Sequence, residues 1–271
     1  MKRTTTWQPL FAMALALGPL MGCDSEPEKP LAPVASALAP AKAATAEARK
    51  FTIEKASSKV EFMMEAPQEK IRGRVAGATE GDLQVDLMDI TKTTGLLIVD
   101  IGGIELYQQK TGDDGKFGPE VKDDTQNEHA RGWLEISPDA PEDIRKKNSR
   151  VEFSITKIEG ASATDVQKMT GAERKVTFKA TGEFLLHGRK TNKTAELEAT
   201  FKYEGDKPVS VAVKTTKPFA IGLEEHDVRP REAFGKLAKS TLEILAPKVA
   251  KEALVSLDLS AALAPGGAAA K

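Results

Sequence analysis

From residue 51 onward, apolar and polar residues alternate with a period of two. Phe51 and Ile53, then Val60 and Phe62, open the pattern, and Leu83, Val85 and Leu87 continue it against Gln84, Asp86 and Met88. Val151, Phe153 and Ile155 alternate with Glu152, Ser154 and Thr156. The strictest run sets Val176, Phe178, Ala180, Gly182, Phe184 and Leu186 against Lys175, Thr177, Lys179, Thr181 and Glu183. Ala195 to Tyr203, Val209 to Val213, Phe219 with Ile221, and Val255 to Leu259 complete it. Each run predicts a strand with one buried and one wet face, hence an antiparallel sheet. Leu96 to Ile101 is apolar on both parities and predicts a strand covered on both sides.

About nine such strands must close into a barrel or pair as a sandwich. The turn at Gly205-Asp206-Lys207-Pro208 favours a meander, and the eleven-residue alternation favours strands bent around a barrel. The fold class expected is therefore mainly β, an antiparallel barrel of about eight or nine strands with short helices and one longer amphipathic helix near the C-terminus. Asn127 to Leu134 and Pro141 to Asn148 predict short helices, the second with Pro141 in its first turn. Residues 231–251 carry Phe234, Leu237, Ala238, Thr241, Leu242, Leu245 and Val249 at helical spacing, with Pro247 ending or kinking the element. That helix either caps a barrel mouth or packs on the outside.

The N-terminus changes the picture from a bare domain to an exported one. Lys2 and Arg3 precede the apolar run Leu10 to Leu17, which is shorter than the ~20 residues of a spanning helix. Leu20-Met21-Gly22-Cys23 then resembles the lipobox of bacterial lipoproteins. The resemblance implies cleavage after residue 22 and acylation of Cys23. Cys23 is the only cysteine of the 271 residues, so no internal disulfide competes for it. Two or three acyl chains anchor stably, so the chain is expected on a membrane without crossing it. Asp24 follows the cysteine, but its sorting meaning differs between lineages, so inner and outer membrane both stay open. Residues 23–50, rich in Pro and Ala, read as the lipidated Cys with a disordered tether, 51–262 as the barrel, and 263–271 as a frayed tail.

Charge narrows the partners. With 39 basic and 40 acidic residues the net charge is -1, which gives no field for nucleic acid. His129, His187 and His226 each stand alone in sequence, without metal-ligand spacing. Glu224-Glu225-His226-Asp227 reads as solvated loop charge and His187 as a turn contact. Gly102-Gly103 is too short to cradle phosphate, and Asp113-Asp114-Gly115 lacks the remaining ligands of a calcium loop. No catalytic residue, metal or cofactor is assigned. Arg72 and Arg74, flanking Gly73, are candidate partners for a phosphate or carboxylate head; edge charges that block sheet aggregation are the alternative. His129 and Arg131 are candidates for a polar head group at a barrel end, with a plain surface helix as the alternative.

Several pieces in order resemble the YceI-like family of polyisoprenoid-binding, lipocalin-like proteins. They are Ser58-Lys59-Val60-Glu61-Phe62 after Phe51-Thr52-Ile53, and Gly73 with Gly81 before Leu83 to Asp86. Asn127-Glu128-His129-Ala130-Arg131, Val151-Glu152-Phe153 with Thr156-Lys157-Ile158, and Thr181-Gly182-Glu183-Phe184-Leu185-Leu186-His187-Gly188 complete the set. The resemblance implies an elongated antiparallel barrel whose apolar interior holds an isoprenoid or similar amphiphile, in a non-catalytic role in the periplasm. The polar loop 108–126 and the 231–251 helix depart from the family pattern. The first function expected is a tethered carrier or store of an isoprenoid, quinone or similar lipid. The alternative is a structural or interaction lipoprotein with a packed, ligand-free barrel. Oligomeric state is not legible.

Overall fold

The computed structural model describes residues 30–38, 44–66, 68–229 and 250–268. The 231–251 helix lies, but for its last two residues, outside these, as do Cys23 and the signal segment 1–22. The strands are β1 (Arg49–Ile53), β2 (Lys59–Ala66), β3 (Glu69–Ala76), β4 (Thr79–Val85), β5 (Thr94–Asp100), β6 (Glu105–Lys110) and β7 (Val121–Lys122). They continue with β8 (Arg150–Glu159), β9 (Glu173–Leu186), β10 (Arg189–Glu204), β11 (Lys207–Thr215), β12 (Phe219–Gly222) and β13 (Glu252–Ala268). Helices α1 (Asp124–Trp133) and α2 (Glu142–Asn148) lie between β7 and β8.

All the strand pairings are antiparallel, and they close an eight-stranded ring in the order β1-β4-β5-β8-β9-β10-β11-β13, with β13 returning to β1. The predicted barrel is therefore the observed fold. Strands outnumber the expected nine because long strands are interrupted. A 3-10 turn at Lys55–Ser57 separates β1 from β2, Gly77 at φ 67° separates β3 from β4, and a 3-10 turn at Ile101–Gly103 separates β5 from β6. Gly102-Gly103 therefore marks a strand break. Only Gly tolerates the Gly77 conformation without a Cβ penalty. The first break is stitched to β13, where Glu54 N–H donates to the Ser260 carbonyl at 2.8 Å and Ser260 N–H to Ser58 Oγ at 3.1 Å.

Above these breaks, β2, β3, β6 and β7 continue the sheet from one edge of β13, while β12 pairs with its other edge. The barrel thus has two storeys. In the lower one, Phe51, Leu87, Ile90, Val166, Val176 and Val211 are almost fully buried. In the upper one, Ile101, Ile104, Leu106, Leu134, Ile221 and Val255 form a second cluster. On β10 burial follows the predicted parity, with Ala195, Leu197, Ala199, Phe201 and Tyr203 all inside, whereas Asp86, Glu152 and Ser154, expected on a wet face, are buried as well.

Three expectations need correction. The stretch taken as a free tether is partly laid on the barrel. Ala32 and Leu38 are buried, Val34 bridges to Arg189, and Ala48 is buried just before β1. Its Pro- and Ala-rich composition, without strand or helix period, hid this, because the segment docks by backbone hydrogen bonds. The segment taken as a frayed tail continues β13 as far as Ala268, paired with Arg49, since backbone pairing needs no large side chains. The Glu224–His226 stretch forms a 3-10 turn with His226 fully buried, not a solvated loop.

The loop 108–126 also folds back on the barrel. Gly112 N–H donates to the Lys116 carbonyl at 2.9 Å, and Gly118 N–H to the Lys110 carbonyl at 2.9 Å. Helix α1 begins earlier than predicted because Asp123 caps it, accepting from Gln126 N–H at 2.9 Å. Pro141 precedes α2 as its N-cap rather than sitting inside the first turn.

Candidate functional site: the barrel lumen

Between the two apolar clusters the barrel encloses a cavity of 220 Å³. Inward parity builds its wall. Val60, Phe62 and Met64 come from β2, Leu83 and Val85 from β4, Leu97 and Val99 from β5, and Ala195, Leu197 and Ala199 from β10. The wall runs from Phe201 and Val211 in the lower storey to Trp133, Leu134 and Val228 in the upper. Small residues create the room, with Ala195 facing Ala180 across β9 and β10; Gly182, opposite Lys193, is instead covered by the Phe153 ring, 2.7 Å from where a Cβ would stand. Gly73 matters similarly, for a Cβ there would stand 2.0 Å from the Phe62 ring, so that ring lies flat across the β3 backbone.

Thr93, Glu152 and Lys193 are the polar residues of this wall. Two of them are already committed. Lys193 Nζ donates to Glu225 Oε1. Glu152, only 1% exposed, receives Arg150 and the Leu38 backbone N–H, the latter at 2.8 Å. Burial works against the Glu225 charge, but the hydrogen bond and charge of Lys193 hold its carboxyl below the usual range. Thr93 Oγ1 is buried without a hydrogen-bond partner. The cavity therefore offers an almost uniformly apolar surface, suited to hydrocarbon and hostile to an unpaired charge.

The lower end is closed by the segment after β8. Val166 N–H donates to the Leu87 carbonyl at 2.9 Å, and Arg174 Nη1 ties down the Val166 and Gln167 carbonyls while its guanidinium stacks 3.5 Å over Tyr203. At the upper end a histidine pair locks the turn between β9 and β10. His226 Nδ1 donates to the carbonyls of Leu186 (3.2 Å) and Arg189 (3.1 Å), and Thr191 Oγ1 donates to its Nε2 at 3.3 Å. Burial pushes the His226 pKa down, which keeps the ring neutral in this arrangement. His187 Nδ1 donates to the His226 carbonyl at 3.1 Å, with Glu135 Oε2 3.0 Å from Nε2. His187 is thus the turn contact expected. Its coupling to His226 and Glu135 was invisible in sequence, because the three are separated by dozens of residues.

The candidate head-group residues lie outside the lumen. Arg72 and Arg74 alternate outward from Ile71, Gly73 and Val75 on β3. Arg72 Nε meets Glu120 Oε2 at 2.9 Å and Arg74 Nη2 meets Glu120 Oε1 at 2.7 Å, with Glu61 beside both. Arg74 also lies 4.5 Å over the Tyr107 ring. The two arginines are brought together as a clamp on the 108–126 loop. His129 is exposed on α1 and Arg131 is half-buried in its last turn, while Ala130, Trp133 and Leu134 of the same helix reach the cavity. Asn127 fastens that helix, accepting from Leu106 N–H at 2.9 Å and donating to the Asp123 carbonyl at 2.8 Å. Among the described residues no group of three His, Cys, Asp or Glu could hold a metal, and no helix is long and apolar enough to cross a membrane.

No family model matches the sequence, and no curated protein does. Solved structures are similar at low identity. Burkholderia cenocepacia BcnA is similar at 14% identity and a TM-score of 0.46, over 77% of this chain and 98% of its own. A polyisoprenoid-binding domain from Saccharophagus degradans, implicated in plant cell wall breakdown, is similar at 14% identity and a TM-score of 0.46, over 79% of this chain and 98% of its own.

Proposed function

We propose that this protein is a YceI-like lipoprotein of the cell envelope that holds the chain of a long amphiphile, an isoprenoid, quinone or similar lipid, inside its barrel for storage or transport. The observation that carries the reading is the 220 Å³ apolar cavity running between two separately packed storeys. A barrel built only for stability fills its interior with side chains. Here alanines stand where larger residues would close the space. The ordered motifs of the sequence support the family reading, and the lipobox ending at Cys23 supports anchoring at a membrane facing the periplasm. The role is binding rather than catalysis, with His187 and His226 spent on holding a turn. The paucity of free charge on the wall favours a neutral buried portion, with any charged head outside.

Organic extraction and mass spectrometry of protein purified from its own membranes test this. A co-purifying long-chain lipid, lost from variants whose lumen is filled, is the expected result. Protein that carries no amphiphile and takes up none when a long-chain quinone is supplied would overturn it.

A further inference from the structure

The segment that follows the anchor cysteine is docked at one end of the barrel, and this fixes where the anchor leaves the domain. Ala32 N–H donates to the Glu225 carbonyl at 2.8 Å, and Arg189 Nη1 donates to the Ala32 carbonyl at 2.9 Å. Lys190 N–H donates to the Pro33 carbonyl at 2.8 Å and Ala35 N–H to the Gly188 carbonyl at 2.9 Å. Leu38 then reaches the buried Glu152 carboxylate. Every partner belongs to the upper storey: the start of β8, the β9–β10 turn, or the 3-10 turn after β12. Further along, Thr45 Oγ1 donates to Asp86 at 2.7 Å in the lower storey, just ahead of β1. Residues 30–38 thus lie against the upper storey, whereas Thr45 meets the lower one.

We infer that residues 30–38 act as a strap that turns the upper end of the barrel toward the bilayer and holds it close. The inference rests on the reading that the chain works from an anchor at Cys23. Six residues separate Cys23 from Pro30, which gives a reach of at most about 25 Å. A wholly free tether would instead enter the domain at Arg49, in the lower storey. β13 has 17 residues, and tilted strands of that length make a barrel about 40 Å tall. A released strap leaves about 25 residues of tether, with a reach of over about 80 Å, so neither end of the barrel is then held at the membrane. The surface around the strap suits a lipid surface: Leu31 and Val34 are 44% and 71% exposed, and the Lys147 ammonium lies beside Gly188, the residue whose carbonyl the strap's Ala35 N–H meets.

Cys23 is the only cysteine, and Trp133 is the only tryptophan after residue 22. The chain from residue 23 onward keeps every described residue. Joined through Cys23 to a two-chain maleimide phospholipid, it can be placed on phosphatidylcholine vesicles containing dansyl-phosphatidylethanolamine. Trp133 lies at the upper end, two residues before Glu135; a Trp133→Phe/Asp206→Trp variant moves the donor to the β10–β11 turn at the lower end. Energy transfer to the head groups should be stronger from Trp133 than from position 206. Ala32→Asp/Leu38→Asp, which puts carboxylates into the docked segment and one beside Glu152, should abolish that difference. A Gly/Ser replacement of residues 30–38 at equal length should do the same, with far-UV circular dichroism unchanged. Equal or reversed transfer in the parent chain, or a difference that survives strap release, would overturn the proposal. The readout uses no cargo and an attached anchor, so it fails separately from lipid carriage or native acylation.

Discussion

Filling the lumen should separate stability from lipid capacity. Ala195 points into the cavity from β10, is 4% exposed and faces another alanine, Ala180. At about 24 cal/mol per Å³, a cavity of 220 Å³ corresponds to about 5 kcal/mol of forgone packing. Ala195→Phe occupies part of that space. Burial of an aromatic side chain contributes about 1.5–3 kcal/mol, and repacking around one added ring subtracts from it. The ligand-free variant should therefore be about 1–2 kcal/mol more stable than the parent, a rise of about 2–8 °C in Tm for a domain of this size. Its uptake of a long-chain quinone should fall at least about tenfold, the equivalent of about 1.4 kcal/mol of lost binding. Differential scanning calorimetry after delipidation gives the first quantity and a fluorescence titration the second. An interior that is already packed would respond the other way, with overpacking costing about 1–3 kcal/mol and binding unaffected. That pair of results would refute the reasoning.

Other substitutions test the supports of the site. Gly73→Ala drives a Cβ to 2.0 Å from the Phe62 ring and should cost about 1–3 kcal/mol by denaturant unfolding. At Gly77 nothing lies within 4 Å, so Gly77→Ala should cost only the left-handed backbone penalty of about 1–2 kcal/mol. Asn127→Ala leaves the Leu106 N–H unpaired and should cost about 1–3 kcal/mol, with faster hydrogen exchange in α1. His226 is held neutral with a depressed pKa, so the unfolded chain takes up its proton first as pH falls. Stability contributed by the neutral ring is complete above the unfolded pKa of about 6.5 and declines below it, by up to about 1.4 kcal/mol per pH unit until the folded pKa is reached. His226→Asn, which can keep the donor to the Leu186 and Arg189 carbonyls, should flatten that slope in unfolding curves taken between neutral and mildly acidic pH. Arg72→Ala, in a half-exposed ion pair, should cost under about 1 kcal/mol and leave lipid retention intact.

The barrel was legible because strand parity is written in side chains. Val176 to Leu186 and Ala195 to Tyr203 face inward in the register their alternation demands. The strand at Leu96 to Ile101 was expected to be covered on both sides, but only one face is: Leu97, Val99 and Ile101 are buried, while on the opposite face Leu96 and Ile98 are half-buried and Asp100 is exposed. The cavity was not legible, since inward parity is the same for a filled and an open barrel. What opens it is the placement of Ala195 and Ala199 among larger neighbours, a property of three-dimensional spacing. The strap escaped for the opposite reason. Its contacts are backbone hydrogen bonds from Ala32, Pro33 and Ala35, which leave no periodic trace. His226 and Glu152 read as ordinary surface charge because their burial depends on segments far away in sequence. Arg72 and Arg74, read as candidate head-group contacts, pair with Glu120 of the chain itself, a partner 46 to 48 residues away that no local pattern announces.

Trp133 borders the cavity, and a quinone entering the lumen should quench its emission. The most direct test of the central claim is therefore a titration of the delipidated chain from residue 23 with a long-chain isoprenoid quinone, followed by Trp133 fluorescence. Lumenal binding predicts saturable quenching that ends at one quinone per chain and is lost in Ala195→Phe. Quenching that rises without saturation, or that survives the filled lumen unchanged, would contradict it.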